Sequence, residues 1–333
     1  MAGPRLMYLA SFGASLFWAY PVALSWQNVS LKRGGPVIAL IAILVLAWGG
    51  YRFIWTQAEI YEQQSRFIVQ FIRAVRTVSP SGSVLGVNCP QFLVPRNPVF
   101  AAGREGVYVM APQQLGILFW VNTGEERTLV EAVLPDLQRD WKYYYAGTGP
   151  IHTAESLQEI LREVTGAVLT SYEGEDIAVY PAGGLEALNV PPQNPFIAEF
   201  DGRVRLLSAT TEREGSILWV TLRWQSLQPL PEDTTVFLHF LSPSGQLVGQ
   251  RDGYPVMGLS RLTAWQPGDI WKDIRPLFLP EGLSEGEYTL TVGLYRVGDP
   301  SGGPRLQAIG PDGQSFPDNA VPIARVTRPD LND

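Results

Sequence analysis

The chain has 333 residues, with 25 Lys+Arg, 32 Asp+Glu and a net charge of −7. An acidic chain with only three lysines (Lys32, Lys142, Lys272) lacks the basic face that phosphate neutralisation needs, which excludes nucleic acid as a partner. Two histidines (His152, His239) and one cysteine (Cys89) exclude an internal disulfide and a Cys/His zinc site, and no metal or cofactor signature is present.

The charge is unevenly spread. Residues 1–55 hold four basic residues (Arg5, Lys32, Arg33, Arg52) and no acid, and the first acid is Glu59. Leu6–Trp26 is an uncharged run about as long as a bilayer core is thick, and Gly34–Tyr51 is a second, extended by Phe53, Ile54 and Trp55. Tryptophans and tyrosines in both runs suit an interfacial belt. A cleaved signal peptide fits the first run poorly, because its apolar stretch is too long. The two runs predict a transmembrane hairpin over 1–55 (6–26 and 34–55) with the lipid bilayer as partner. Lys32 and Arg33 place the loop in the cytoplasm. The expected location is therefore the cell membrane, two-pass, with the large C-terminal part extracytoplasmic.

From 56 to 78 the apolar residues Ile60, Phe67, Ile68, Phe71, Ile72 and Val75 recur at helical spacing. They predict an amphipathic stalk helix that packs on the first globular domain. Residues 79–190 read as a small α/β (α+β) domain. Ser83–Val87 is a buried strand ended by Cys89-Pro90; 106–111 and 116–121 are further strands; Glu125–Arg139 has helical character interrupted by Pro135. Thr153 caps a helix with Leu157, Ile160, Leu161 and Val164 on one face, ended by Gly166. Residues 167–172 and 177–180 form a hairpin. Gly147-Thr148-Gly149-Pro150 lacks the Lys-Ser/Thr of a phosphate-cradling loop. Cys89 reads as a small buried apolar residue and His152 as a solvated loop histidine.

Residues 196–328 carry period-2 alternation and predict an all-β, immunoglobulin-like antiparallel sandwich. The inward sets are Leu218/Val220/Leu222/Trp224, Val236/Leu238/Phe240 and Tyr288/Leu290/Val292/Leu294. Ser242–Gly245 supplies a hairpin turn, and Tyr288 has the place of a corner tyrosine. His239 lies out of phase with the core set and reads as a packed or surface histidine. Trp219, Trp265, Trp271 and Tyr295 are not needed for the inward stripes. They form a candidate sugar-stacking set, since aromatic faces match the C–H face of a pyranose; the competing reading has them cover the second sheet or dock the middle domain. Asp312, Asp318 and Asn319 lack the spacing of a calcium loop.

The series Leu222–Leu227, Thr235–Phe240, Ala264–Asp269 and Gly286–Tyr295 resembles the C-terminal extracytoplasmic region of bacterial family 39, protein-mannosyltransferase-like, multi-pass membrane glycosyltransferases. Those enzymes use a polyprenyl-phosphate sugar donor and carry catalytic acids in their first extracytoplasmic loop. Here the only inter-helix loop, 27–35, has no acid, so no catalytic residue is carried over. The resemblance implies a tail without its catalytic helices. The expected function is that of a membrane-anchored, non-catalytic envelope protein that binds glycan or another protein through its sandwich. Two further expectations are the accessory half of a split glycosyltransferase, partnered by other multi-pass membrane subunits, and a structural subunit of a larger membrane complex.

Overall fold

The computed structural model describes residues 35–93, 107–110, 114–137, 144–173, 176–298 and 303–327. The first described element is a single helix of 44 residues, α1 (Gly35–Val78). Its uncharged part, Gly35 to Tyr51, is 17 residues long, short of the roughly 20 needed to span a bilayer core. Among the described residues no helix is long and apolar enough to cross a membrane. This overturns the expectation of two transmembrane helices and with it the two-pass placement. The first proposed span, 6–26, lies outside the described residues. As expected of the stalk, the second run continues into it without a break. There Ile60, Phe67, Phe71, Ala74, Val75 and Val78 are buried.

What they are buried against is the back of a nine-stranded mixed sheet. In chain order the following elements are β1 (Val84–Val87), β2 (Pro90–Leu93), β3 (Val107–Tyr108), α2 (Leu115–Thr123), β4 (Leu129–Ala132), β5 (Tyr144–Gly147), α3 (Ala154–Glu163), β6 (Gly166–Glu173) and β7 (Asp176–Ala187). The strands continue with β8 (Ala198–Phe200), β9 (Val204–Glu214), β10 (Ile217–Ser226), β11 (Thr234–Leu241), β12 (Leu247–Gln250), β13 (Ile270–Phe278), β14 (Glu287–Arg296), β15 (Ala308–Ile309) and β16 (Val321–Thr327). The large sheet has the order β15-β8-β9-β10-β13-β7-β6-β1-β4; a second sheet has the order β12-β11-β14-β16, and β3-β2-β5 form a third.

β1 lies parallel between β4 and β6 and is buried at all four positions, as a strand covered on both faces must be. The run expected as a strand at 116–121 is the helix α2. Its last carbonyls are closed by Gly124 in the left-handed region (φ 75°), and Leu115 and Phe119, one turn apart, face the core. A six-residue apolar run does not distinguish strand from helix by periodicity. The helical character expected over 125–139 is instead strand β4 and a 3-10 turn at Pro135–Leu137. α3 begins at a capping box in which Thr153 and Ser156 exchange side-chain-to-backbone bonds (3.3 and 3.1 Å).

The two larger sheets pack face to face. Leu218, Val220, Leu222 and Trp224 of β10 meet Val236, Leu238 and Phe240 of β11 and Tyr288, Leu290, Val292 and Leu294 of β14 in one core, which also takes Leu157 and Leu161 of α3. The opposite face of the large sheet, through Val84, Val168, Val179 and Ile274, receives α1. The corner tyrosine is in place. The Tyr288 ring stacks on Phe240 at 5.0 Å, and its hydroxyl donates to the Ser284 carbonyl at 2.9 Å.

The large sheet runs straight through the boundary expected near residue 190, because β7 pairs with β6 on one side and β13 on the other. Two glycines make this junction. A Cβ on Gly183 (φ +103°) would lie 2.0 Å from the Lys272 carbonyl oxygen, and one on Gly184 would lie 2.7 Å from the Gly166 Cα.

Candidate functional site

In a sheet with parallel strands, the carboxyl ends of those strands are where ligands ordinarily bind. Here that end is occupied by the protein's own groups. The chain leaves β1 at Asn88, buried and in the left-handed region (φ 59°). The Asn88 side chain brackets Leu134, accepting its N–H at 2.8 Å and donating to its carbonyl at 3.1 Å. The Asn88 carbonyl accepts from the Tyr172 hydroxyl at 2.7 Å, and that of Cys89 from the Thr148 N–H at 2.9 Å. Glu131 of β4 accepts the first N–H of α2, from Leu115 at 2.8 Å, where a carboxylate complements the helix dipole. Gly149 is required there, since a Cβ would lie 2.5 Å from the Glu131 backbone. The Gly147–Pro150 loop thus closes over the Glu131 backbone rather than a phosphate. Cys89 is fully buried, and desolvation pushes its thiol up to about 12, with Thr170 donating to the sulfur at 3.6 Å. A thiol held protonated is no nucleophile.

His152 is half-buried, with its backbone N–H on the Val133 carbonyl (2.8 Å) and Nδ1 3.2 Å from the Ser156 hydroxyl. It belongs to the start of α3 rather than to open solvent. Asp312 turns its own loop by accepting from Gln314 N–H (3.0 Å), Asn319 accepts from Ala308 N–H (3.2 Å), and the Asp318 carbonyl accepts from Arg305 (2.8 Å). Among the described residues no group of three or more His, Cys, Asp or Glu could hold a metal ion.

The four candidate sugar-stacking aromatics do not converge. Trp265 and Trp271 are 1% exposed and stack on each other inside the core, 5.4 Å apart and 7° from parallel, so neither offers a face to a ligand. Trp219 is half-buried on the α1 side, where its Nε1 donates to Glu214 (3.1 Å) and its ring lies 6.3 Å from Tyr180. Tyr295 is half-buried on the smaller sheet, on the face turned away from the core.

That outer face holds a cluster which the sequence reading did not assemble. Its centre is Phe237 of β11, lying flat over Gly293 of β14; a Cβ on Gly293 would sit 2.3 Å from the ring. Tyr295 lies 6.3 Å from the Phe237 ring, His239 lies 4.7 Å from it, and the Arg305 guanidinium covers it at 4.4 Å. Asp252 approaches His239 Nε2 at 3.7 Å. Burial, and then the negative charge of Asp252, raise the pKa of the Tyr295 hydroxyl. Phe237 itself is buried (1% exposed), so the arrangement presents the half-exposed Tyr295 and His239 rings on a buried aromatic base, edged by a carboxylate and a guanidinium. The signal was present at every second position of β11, Phe237 and His239, but nothing in the sequence told of Gly293 beneath the ring.

Behind the cluster, Asp273 and Arg275 of β13 form an ion pair at 2.7 Å that is almost wholly buried between the sheets. Asp273 also accepts the Val256 N–H (2.8 Å), and Arg275 donates to the carbonyls of Arg251 (3.3 Å) and Gly253 (3.0 Å). The pair anchors the loop that carries Asp252.

No protein-family model and no curated protein matches the chain. Among solved structures, one likeness is to the C-terminal domain of wzt, at 11% identity and TM-score 0.25, over 42% of this chain and 77% of that one. A second is to a DUF3823 family protein from Bacteroides ovatus, at 9% identity and TM-score 0.24, over 46% of this chain and 66% of that one. A third is to a beta-glucuronidase from glycoside hydrolase family 2, at 10% identity and TM-score 0.22, over 31% of this chain and only 11% of that one. At TM-scores this low nothing about function follows from these likenesses.

Proposed function

We propose that the protein is a non-catalytic binding protein that takes a saccharide, such as an envelope glycan, on the outer face of its smaller sheet. The observation that carries this reading is the cluster around Phe237. The Tyr295 ring supplies the face for a pyranose, and Asp252 and Arg305 supply an acceptor and a donor for ring hydroxyls. The groups at the carboxyl ends of the parallel strands, by contrast, are engaged in holding the fold.

Calorimetric titration of the full chain with envelope glycan fragments tests the reading. Binding is expected, weakened about tenfold by Tyr295→Ala, the scale of one lost aromatic contact. Absence of heat with every fragment, or equal affinity in the variant, overturns it. Tryptophan emission is the wrong reporter, since Trp265 and Trp271 are in the core.

A second reading is an accessory chain, whether the partner of a multi-pass glycosyltransferase that the family 39 resemblance suggests or a structural subunit of another complex. One observation favours it. In the first half of α1, Leu40, Ile41, Ile43, Leu44, Val45, Leu46 and Trp48 are exposed on all sides of the helix, and apolar surface of this extent ordinarily meets a partner. Co-purification in mild detergent that recovers a multi-pass chain with an acidic loop supports the glycosyltransferase form. Recovery of the protein alone counts against both forms.

A further inference from the structure

β9 is paired on both sides over only part of its length. β10 follows it from Val204 to Glu214, whereas β8 meets it only at Val204, Arg205 and Leu206. β8 is only three residues long, and just past it, at Leu207, the register of β9 with β10 slips between Arg223 and Trp224 in a bulge. Beyond the bulge, Ser208–Glu214 are exposed or half-exposed, and among the described residues no strand pairs with their outer edge.

A free edge is a template for another strand, and proteins usually blunt such edges with charge or proline. Here Ser208, Ala209, Thr210 and Thr211 carry neither, and the threonines favour strand. The charges, Glu212, Arg213 and Glu214, gather at one end, and Arg213 Nε donates to the Gly215 carbonyl in the turn.

We infer that this edge pairs with the same edge of a second copy of the chain, antiparallel about a two-fold axis at Thr211, joining the two large sheets into one. The charge pattern argues for this occupant and register. In a two-fold antiparallel pair, residues on the same face oppose each other. Centred on Thr211, Ser208 faces Glu214, Ala209 faces Arg213 and Thr210 faces Glu212, so every charge meets a small neutral residue. Centred on Glu212 or Arg213, the strand would set like charge directly against like charge, which is destabilising. The segment escapes like-charge contact in this register and repels itself in the two registers towards its charged end.

The full chain tests this in two ways. Light scattering after size exclusion is expected to show a dimer that Thr211→Lys, which sets two lysines face to face at the axis, weakens at least tenfold with an unchanged circular dichroism spectrum. Thr211→Cys is expected to give a covalent dimer under mild oxidant, faster than Ser244→Cys on an exposed loop away from the edge; Cys89, being buried, adds no background. A monomeric chain, a dimer untouched by the lysine, or equal cross-linking at both cysteines overturns the inference.

Discussion

At the residue scale the chemistry is settled by what surrounds each group. Cys89 is the only thiol, and its burial decides its behaviour. Desolvation lifts its pKa from 9.0 to about 12 in the folded chain. A raised folded-state value means that the stability gained by keeping the thiol neutral is fully present below pH 9 and is lost as pH climbs from 9 towards 12. Denaturant midpoints are therefore expected to fall above pH 9, and Cys89→Ala to flatten that fall. Native protein at pH 8 is expected to leave a thiol reagent unreacted until it is unfolded; prompt reaction of the native chain would show that the sulfur is accessible. The same scale explains why the competing, buried reading holds for two of the four aromatics. Trp265 and Trp271 fill the core although their strand phase left them free, because Trp271 stands opposite Trp224 in the ladder and Trp265, from the preceding 3-10 turn, folds onto it. Period-2 reasoning sees one strand at a time and cannot register a side chain delivered by a turn.

At the element scale, the alternating strands β10, β11 and β14, the capped α3, the Ser242–Gly245 turn and the corner tyrosine were all legible, because each depends on contacts close in sequence or on a strict period. The outer-face cluster was only half legible. Phe237, His239 and Tyr295 are marked by their phase, whereas Arg305 and Asp252 arrive from loops. The junction between the two halves of the large sheet was not legible, since it rests on β7 pairing with β13 some 85 residues later. Gly183 is the point at which that junction can be broken. Its positive φ and the 2.0 Å approach to the Lys272 carbonyl leave no room for a methyl group. Gly183→Ala is expected to cost about 3 kcal/mol or more in urea unfolding, well beyond an ordinary surface substitution. A loss under 1 kcal/mol would mean that the strands separate there at little cost.

At the scale of the whole molecule, one sheet is continuous through strands of both expected domains. α1 lies across the strands on one face and the smaller sheet covers the other, so both parts share strands β7 and β13. Calorimetry is expected to show a single transition, lowered by both Phe71→Ala and Trp224→Ala, each removing about 3–5 kcal/mol of core packing. Two separable transitions, each answering to only one of the variants, would restore independent folding. The helix itself has a mechanical consequence. At 1.5 Å per residue its 44 residues measure about 66 Å, and only the later half is seated on the sheet. The earlier half is a cantilever. A small tilt of the seated part is magnified at Gly35, and a tug there arrives as torque beneath the strands that join the two halves. Gly49 and Gly50, with nothing within 4 Å of where their side chains would be, are the place along the beam where it yields first.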